Sequence, residues 1–313
     1  MLLETMNDWL YNPVNFDPST SIAKSELAVS RSRWYWPDNL QIKDQDRSNT
    51  RVFSGKTKLI QKIPSNAELD KSWDINGFIA LPGFYSHEEI DSVENEVREI
   101  WESGNTDVVV DNLTDGARRY LCDVTIYEHK YHRFKTNDLY LVSNLVRKLA
   151  INETLSPLLN RLLGQPVVLC NSLNFDKGSS QEDHVDSLYM TPKTSGDLIA
   201  IWVALEDCHK DAGPLKYYPG SHKIKPYIFS NGSEHAVGKE YPEFAKHMEE
   251  HVKALGLEPL TFEARKGDVF IWNGRLLHGG SKINNPELTR KSIVFHYFSK
   301  RDCKEKNLVA DHE

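Results

Sequence analysis

From Val167 onward the chain carries short runs of β-branched and aromatic residues cut apart by turn residues. The runs are Val167–Cys170, Leu198–Leu205, Val269–Trp272 and Ser292–Phe298. Side chains of that kind fit a pleated, buried surface, so each run predicts a strand. Asp176-Lys-Gly-Ser-Ser180, Asp211-Ala-Gly-Pro214 and Lys266-Gly-Asp268 separate them with turn chemistry. Before Gly164 the pattern is different. Gly77–Leu81 predicts one buried strand, and Ser86-His-Glu-Glu89 then has the form of a capping box. Behind it Ile90, Val93, Val97, Ile100 and Trp101 recur at helical spacing, as do Leu139, Val142, Leu145, Val146 and Leu149. Ser156-Pro157 predicts a further helix start, and Pro242–Leu255 a helical insert among the later strands. Helices followed by antiparallel-looking strands predict an α+β fold in which helices back a sandwich or barrel.

Composition narrows the function classes. With 38 Lys+Arg against 45 Asp+Glu in 313 residues, the net charge is −7. That balance gives no pull toward nucleic acid or an anionic membrane. No apolar run is long enough to span a bilayer, and the N-terminal residues lack the basic start and apolar core of a signal peptide. Four scattered cysteines without a Cys-x-x-Cys form neither a zinc cluster nor a disulfide framework, which predicts a cytoplasmic protein. Residues 1–65 are largely polar and weakly periodic, with three adjacent aromatics at Trp34-Tyr35-Trp36. They predict an N-terminal extension packed by its aromatics on a main domain of residues 66–313.

The residue pattern that points to chemistry is His184-Val-Asp186. In an extended chain residues i and i+2 share a face, so both side chains can reach one ion. A third ligand from a neighbouring strand would complete a 2-His-1-carboxylate face with open positions, the arrangement of non-haem Fe(II) oxygenases. His-x-Asp occurs a second time as His209-Lys-Asp211, beside Ala212-Gly213-Pro214, which reads as a surface loop. Downstream, Gly267–Trp272 predicts a strand entered from a tight turn. His278 follows, ahead of Gly279-Gly280, where the missing side chains allow close backbone approach. Arg290 and Ser292 head the last strand on one face, and a guanidinium with a hydroxyl suits a carboxylate.

Taken together these stretches resemble the phytanoyl-CoA dioxygenase family of Fe(II)/2-oxoglutarate-dependent oxygenases. The resemblance runs through Asn76–Phe84 and the helix after it, His184-Val-Asp186, Gly213–His222, Gly267–Gly280 and Arg290, in family order. It implies a double-stranded β-helix (jelly-roll) core with helices packed on one side. His184, Asp186 and His278 would be the metal ligands and Arg290 the partner of the 2-oxoglutarate C5 carboxylate, with Trp202 lining the cosubstrate site. Fe(II), 2-oxoglutarate and O2 are the implied cofactors, and succinate and CO2 the coproducts. Asp186 argues against halogenation, which needs that ligand position for halide. Hydroxylation is the default outcome, with cyclisation or desaturation on the same iron.

Substrate signals are sparse. Tyr189, Met190 and Thr191 follow the ligand pair, and Arg118, Arg119 and Arg275 offer cations for a substrate carboxylate or phosphate. His296 shares the face of Arg290 and Ser292 and reads as a core histidine. The expected partner is a small polar or amphiphilic metabolite, with no nucleic acid and no membrane, acted on by a monomer or homodimer. The rival readings are a cosubstrate-independent cupin-type metal enzyme and a silent jelly-roll binding protein. The first has no use for Arg290, and the second should lack one of the four site residues.

Overall fold

The computed structural model describes residues 65–305, so the expected packing of Trp34-Tyr35-Trp36 lies outside the described residues. Helix α1 (Asn66–Asn76) starts at Ser65, whose hydroxyl accepts from the Glu68 amide while Glu68 reaches back to the Ser65 amide. Strand β1 (Phe78–Leu81) follows at once. Helix α2 (His87–Ser103) carries the expected capping box between Ser86 and Glu89 and buries Ile90, Val93, Val97 and Ile100 on one face. Such a box satisfies amide groups the helix start would leave bare.

The next stretch departs from expectation. Residues 109–137 hold strands β2 (Val109–Asn112), β3 (Arg118–Tyr120) and β4 (Phe134–Asn137), with the short helix α3 (Ile126–Tyr131) between the last two. Asp111, Asn112, Arg118, Lys135 and Asn137 put polar side chains through these strands, and their one apolar run, Val108–Val110, is three residues long. They extend the sheet in series, β4 pairing with β5, β2 with β4 and β3 with β2, and Val108 and Val110 tie them to the core. The helix expected over 139–149 is also split. A 3-10 turn at Leu139–Leu141 precedes α4 (Asn144–Ala150), because the Ser143 hydroxyl caps the Val146 amide and restarts the helix. Helix α5 (Leu155–Leu163) begins one residue before the expected Ser156, with Asn152 Oδ1 accepting from Thr154 and Leu155. Gly164 ends it in the left-handed conformation.

The remaining elements are β5 (Val167–Phe175), β6 (Leu198–Ala204), β7 (Leu215–Tyr217), α6 (Tyr241–Leu255), β8 (Leu260–Phe262), β9 (Val269–Asn273), β10 (His278–Gly280), β11 (Ser292–Ser299) and α7 (Lys300–Glu305). Among the described residues all strand pairings are antiparallel. Eight strands form one sheet in the order β1-β9-β6-β11-β5-β4-β2-β3, and β10-β7-β8 form a second. Mixed helices and antiparallel sheets make the fold α+β.

Three layers result. On one face of the large sheet, Ile199, Ile201, Val203, Ile271, Ile293 and Phe295 pack against residues of α2, α4 and α5. On the other face, Ala200, Trp202, Ala204, Phe270, Trp272 and Val294 meet Leu215 and Tyr217 of the small sheet. Strand β6 is buried along its whole length because both faces are covered. Full burial of an aliphatic side chain contributes about 1.5–3 kcal/mol, so this strand anchors both layers. A third cluster joins Phe244 and Met248 of α6 to Val185, Leu188, Ile224, Phe229 and Leu277. Among the described residues no helix is long and apolar enough to cross a membrane.

Candidate active site

The face of the large sheet that meets the small one carries the chemistry. His184 was expected in a strand, but it makes only an isolated bridge with His278. The two backbones exchange N–H···O bonds of 2.8 and 2.9 Å. Val185 is extended and Asp186 opens a 3-10 turn, Asp186–Leu188. One extended residue suffices to put His184 and Asp186 on the same side, so the shared face survives without the strand. His278 heads β10 and is brought opposite by the bridge. Gly279 is needed there, since a Cβ at 279 would lie 2.7 Å from Asp183 Oδ1 and 2.9 Å from the Gln181 carbonyl.

His184 Nε2 lies 3.7 Å and His278 Nε2 3.5 Å from Asp186 Oδ1. Ligand atoms of all three fall within 4.8 Å of one another, and all three residues are buried. Each imidazole has its Nδ1 on a backbone carbonyl, His184 on Glu182 at 2.7 Å and His278 on Leu276 at 2.9 Å. A ring that donates from Nδ1 keeps its Nε2 lone pair for a metal. Burial, with His278 close by, lowers the His184 pKa to about 4, so the ring stays neutral and able to ligate. Burial works against the Asp186 carboxylate, yet His278, His296 and His184 hold its pKa below the usual range. The donor set of two imidazoles and one carboxylate fits Fe(II).

A second feature lies beside this face. Arg290 is 4% exposed, and its Nη1 donates to the Gly213 carbonyl at 3.0 Å. Its Nε is buried without a partner, as are Trp202 Nε1 and Ser292 Oγ. The guanidinium stands 6.0 Å from the Trp202 ring. Burial lowers the Arg290 pKa to about 10. No carboxylate pairs with it among the described residues. A buried cation and two buried donors without acceptors invite an anion, since leaving them bare is costly. A dicarboxylate's far end fits that cradle.

The other residues named from the sequence scatter. Tyr189 is half-buried with its ring 5.6 Å from His184. Arg118 forks onto Asp111 at 2.6 and 3.1 Å on the site face of β3. Arg119, one residue on, faces away and binds Glu128 and Asp115. Arg275 donates to the Ile224 carbonyl and lines a small, partly open pocket with Val185, Ser187 and Met248, behind the ligand pair. His209 and Asp211 lie 3.6 Å apart in an exposed loop.

Three neighbours of the site escaped the sequence reading. Trp272 Nε1 donates to Asp186 Oδ2 at 2.7 Å. His296, read as a core histidine, approaches the same oxygen to 3.6 Å. Lys135 bonds Asp111 at 3.0 Å, almost fully buried. It stands in the cross-strand row Lys135, Phe175, Ser292. Two strand spacings put it about 10 Å from Ser292. No local pattern marks Lys135 or Trp272, because only sheet register brings them here.

Residues 73–292 match the family Phytanoyl-CoA dioxygenase (PhyH). The chain belongs to the phytanoyl-CoA dioxygenase family. As such it is a non-haem Fe(II)/2-oxoglutarate-dependent dioxygenase, using Fe(II), 2-oxoglutarate and O2. A probable alpha-ketoglutarate-dependent hypophosphite dioxygenase from Stutzerimonas stutzeri is 27% identical over 74% of this chain and 78% of that protein. A phytanoyl-CoA dioxygenase domain-containing protein 1 homolog from Caenorhabditis briggsae is 19% identical over 75% and 92%. Among solved structures, the fold matches the alpha ketoglutarate dependent epimerase SnoN of nogalamycin biosynthesis with TM-score 0.56 and 20% identity, covering 75% of this chain and 83% of that one. It also matches EctD from S. alaskensis with bound Fe, with TM-score 0.56 and 16% identity over 79% and 81%.

Proposed function

We propose that His184, Asp186 and His278 hold the Fe(II), that Arg290, Ser292 and Trp202 hold 2-oxoglutarate, and that the enzyme hydroxylates an unactivated C–H bond of a small polar metabolite. The observation that carries the reading is the convergence of two pinned Nε2 lone pairs and Asp186 Oδ1 beside a buried Arg290 guanidinium whose Nε has no partner and which faces no carboxylate among the described residues. The large sheet and β10-β7-β8 read as the two walls of a double-stranded β-helix, with the ligands on the seam between them.

Bound iron with 2-oxoglutarate and O2 supplies the oxidant, with succinate and CO2 as coproducts. The chain's own residues do the rest. Carbonyls of Glu182 and Leu276 fix the imidazole tautomers. Arg290 fixes one end of the cosubstrate and thereby its direction. Trp202, Phe270 and Val294 keep the inner wall apolar and dry, which strengthens the charge pairing. Beside the ligands, Tyr189 and the Arg118–Asp111–Lys135 cluster make a polar wall. That wall supports a polar reactant over a long acyl chain. The relative named for hypophosphite is, by that name, an enzyme of a small anion, in keeping with it.

The test is an anaerobic titration of the Fe(II)-loaded protein with 2-oxoglutarate, following the visible iron-to-cosubstrate charge-transfer band. A band in wild type that is lost in Asp186→Ala and weakened in Arg290→Ala supports the assignment. Iron bound without any band would instead favour the cosubstrate-independent metal enzyme. Succinate release across a panel of polar and acyl substrates then tests the substrate class.

A further inference from the structure

The protein treats the two oxygens of Asp186 differently. Oδ1 faces the imidazoles of His184 and His278. Oδ2 accepts the Trp272 indole N–H at 2.7 Å, and His296 Nε2 stands 3.6 Å from it. These two side chains come from one row across the large sheet. Trp272 of β9 opposes Ala200 of β6, which opposes His296 of β11, which opposes Asn171 of β5. Ala200 is fully buried, and its single methyl is the gap over which the indole and the imidazole converge on one oxygen.

The His296 ring is aimed from behind. The β11–β5 register shifts after His296, so Asn171 opposes His296 but Leu169 opposes Tyr297. Cys170 is therefore the extra residue of a β-bulge, and its thiol donates to the His296 carbonyl at 2.9 Å. Bulges bend a strand and redirect a side chain. Asn171 Oδ1 then meets His296 Nδ1 at 2.9 Å and fixes the ring. This arrangement sits on the strand that Ser292 opens, two residues after Arg290.

We propose that Trp272 is a positioning residue whose indole N–H holds Asp186 Oδ2 away from the metal, with the His296 ring closing the other side of that oxygen, so that the carboxylate ligates through Oδ1 alone. The inference rests on the reading of His184, Asp186 and His278 as ligands. Its consequence is coordinative. A carboxylate free to bind through both oxygens takes a second position at the metal, and a chelating cosubstrate plus O2 need all three that a facial triad leaves open.

Co(II) is the probe, since its visible spectrum reports coordination number and no turnover is needed. Wild type is titrated beside Trp272→Phe, His296→Gln, Asp186→Ala and Tyr297→Phe. The last removes a buried hydroxyl that donates to the Ala150 carbonyl on the far face of the same strand. Trp272→Phe and His296→Gln should weaken Co(II) binding about ten- to a hundredfold and alter the band intensity, while Tyr297→Phe changes neither. Wild-type affinity and spectrum in both variants, with binding lost in Asp186→Ala, would overturn this proposal and leave the ligand set intact. Wild-type binding by Asp186→Ala would overturn the ligand set itself. Should His296→Gln fail to fold, Trp272→Phe decides alone, because it keeps an aromatic ring in the same place.

Discussion

Replacing Arg290 with methionine should stabilise the ligand-free protein while removing its response to 2-oxoglutarate. Methionine keeps an unbranched stem against Trp202 and deletes only the charge. The cost of burying that charge can be read from the structure. The pKa falls from 12.5 to about 10 through burial, which at about 1.4 kcal/mol per pH unit is about 3 kcal/mol. Against this, the Gly213 carbonyl loses its Nη1 donor, a loss of about 1 kcal/mol. The net gain is about 2 kcal/mol, or a Tm raised by about 4–8 °C in a domain of this size. The opposite effect appears with ligand. A buried charge pair lost on one side costs about 2–5 kcal/mol, so cosubstrate binding should weaken at least about thirtyfold. Thermal unfolding, run metal-free and then with Co(II) and 2-oxoglutarate, reads both effects. Co(II) alone should stabilise both proteins by mass action, and adding 2-oxoglutarate should stabilise wild type further but the variant far less. A metal-free Arg290→Met protein that melts well below wild type would refute the reasoning, because it would show the guanidinium already satisfied within the fold.

Three further outcomes follow from the same geometry. In metal-free protein the folded His184 pKa of about 4 lies below the ordinary 6.5, so the unfolded chain takes up the proton first and stability is lost as pH falls from about 6.5 to 4. Asp138, whose pKa burial raises to about 6, pulls the other way, so the effect is read as wild type minus His184→Gln in urea unfolding. That difference should shrink across this window, and a constant difference would contradict the neutral ring. Gly279→Ala should loosen the His184–His278 bridge, since its methyl would meet the Asp183 carboxylate and the Gln181 carbonyl; Co(II) affinity should drop with little change in the α2 helical signal. Ser86→Ala removes the side-chain acceptor of the α2 cap and should cost about 1 kcal/mol in urea unfolding, with the charge-transfer titration unchanged.

The parts of this fold that were legible have strong local causes. The α2 capping box and its buried stripe lie within one stretch of sequence, as do the apolar run of β6 and the α6 insert closed by Gly256. The strands β3 and β4 were hidden because residues such as Arg118 and Lys135 are polar and become strand only by pairing, and β2 showed only the short run Val108–Val110. Helix α4 starts late for a local reason that periodicity hides, the Ser143 cap. At the site, His184 and Asp186 were named from their spacing although no strand carries them, since one extended residue gives the same result.

What the sequence by itself determined is the alternation of helix and strand, the family motifs, and the side chains able to ligate. Those are properties of residue type and short-range spacing. Tertiary structure decided which of the candidate cations face the site. Arg118 and Lys135 share its sheet face, Arg119 points away, and Arg275 falls behind the ligand pair. It also decided that Trp272 and His296 converge on one oxygen of Asp186 across Ala200. Sheet register joins residues that are close in space and distant in sequence, and a one-residue shift would send each of them to the opposite face.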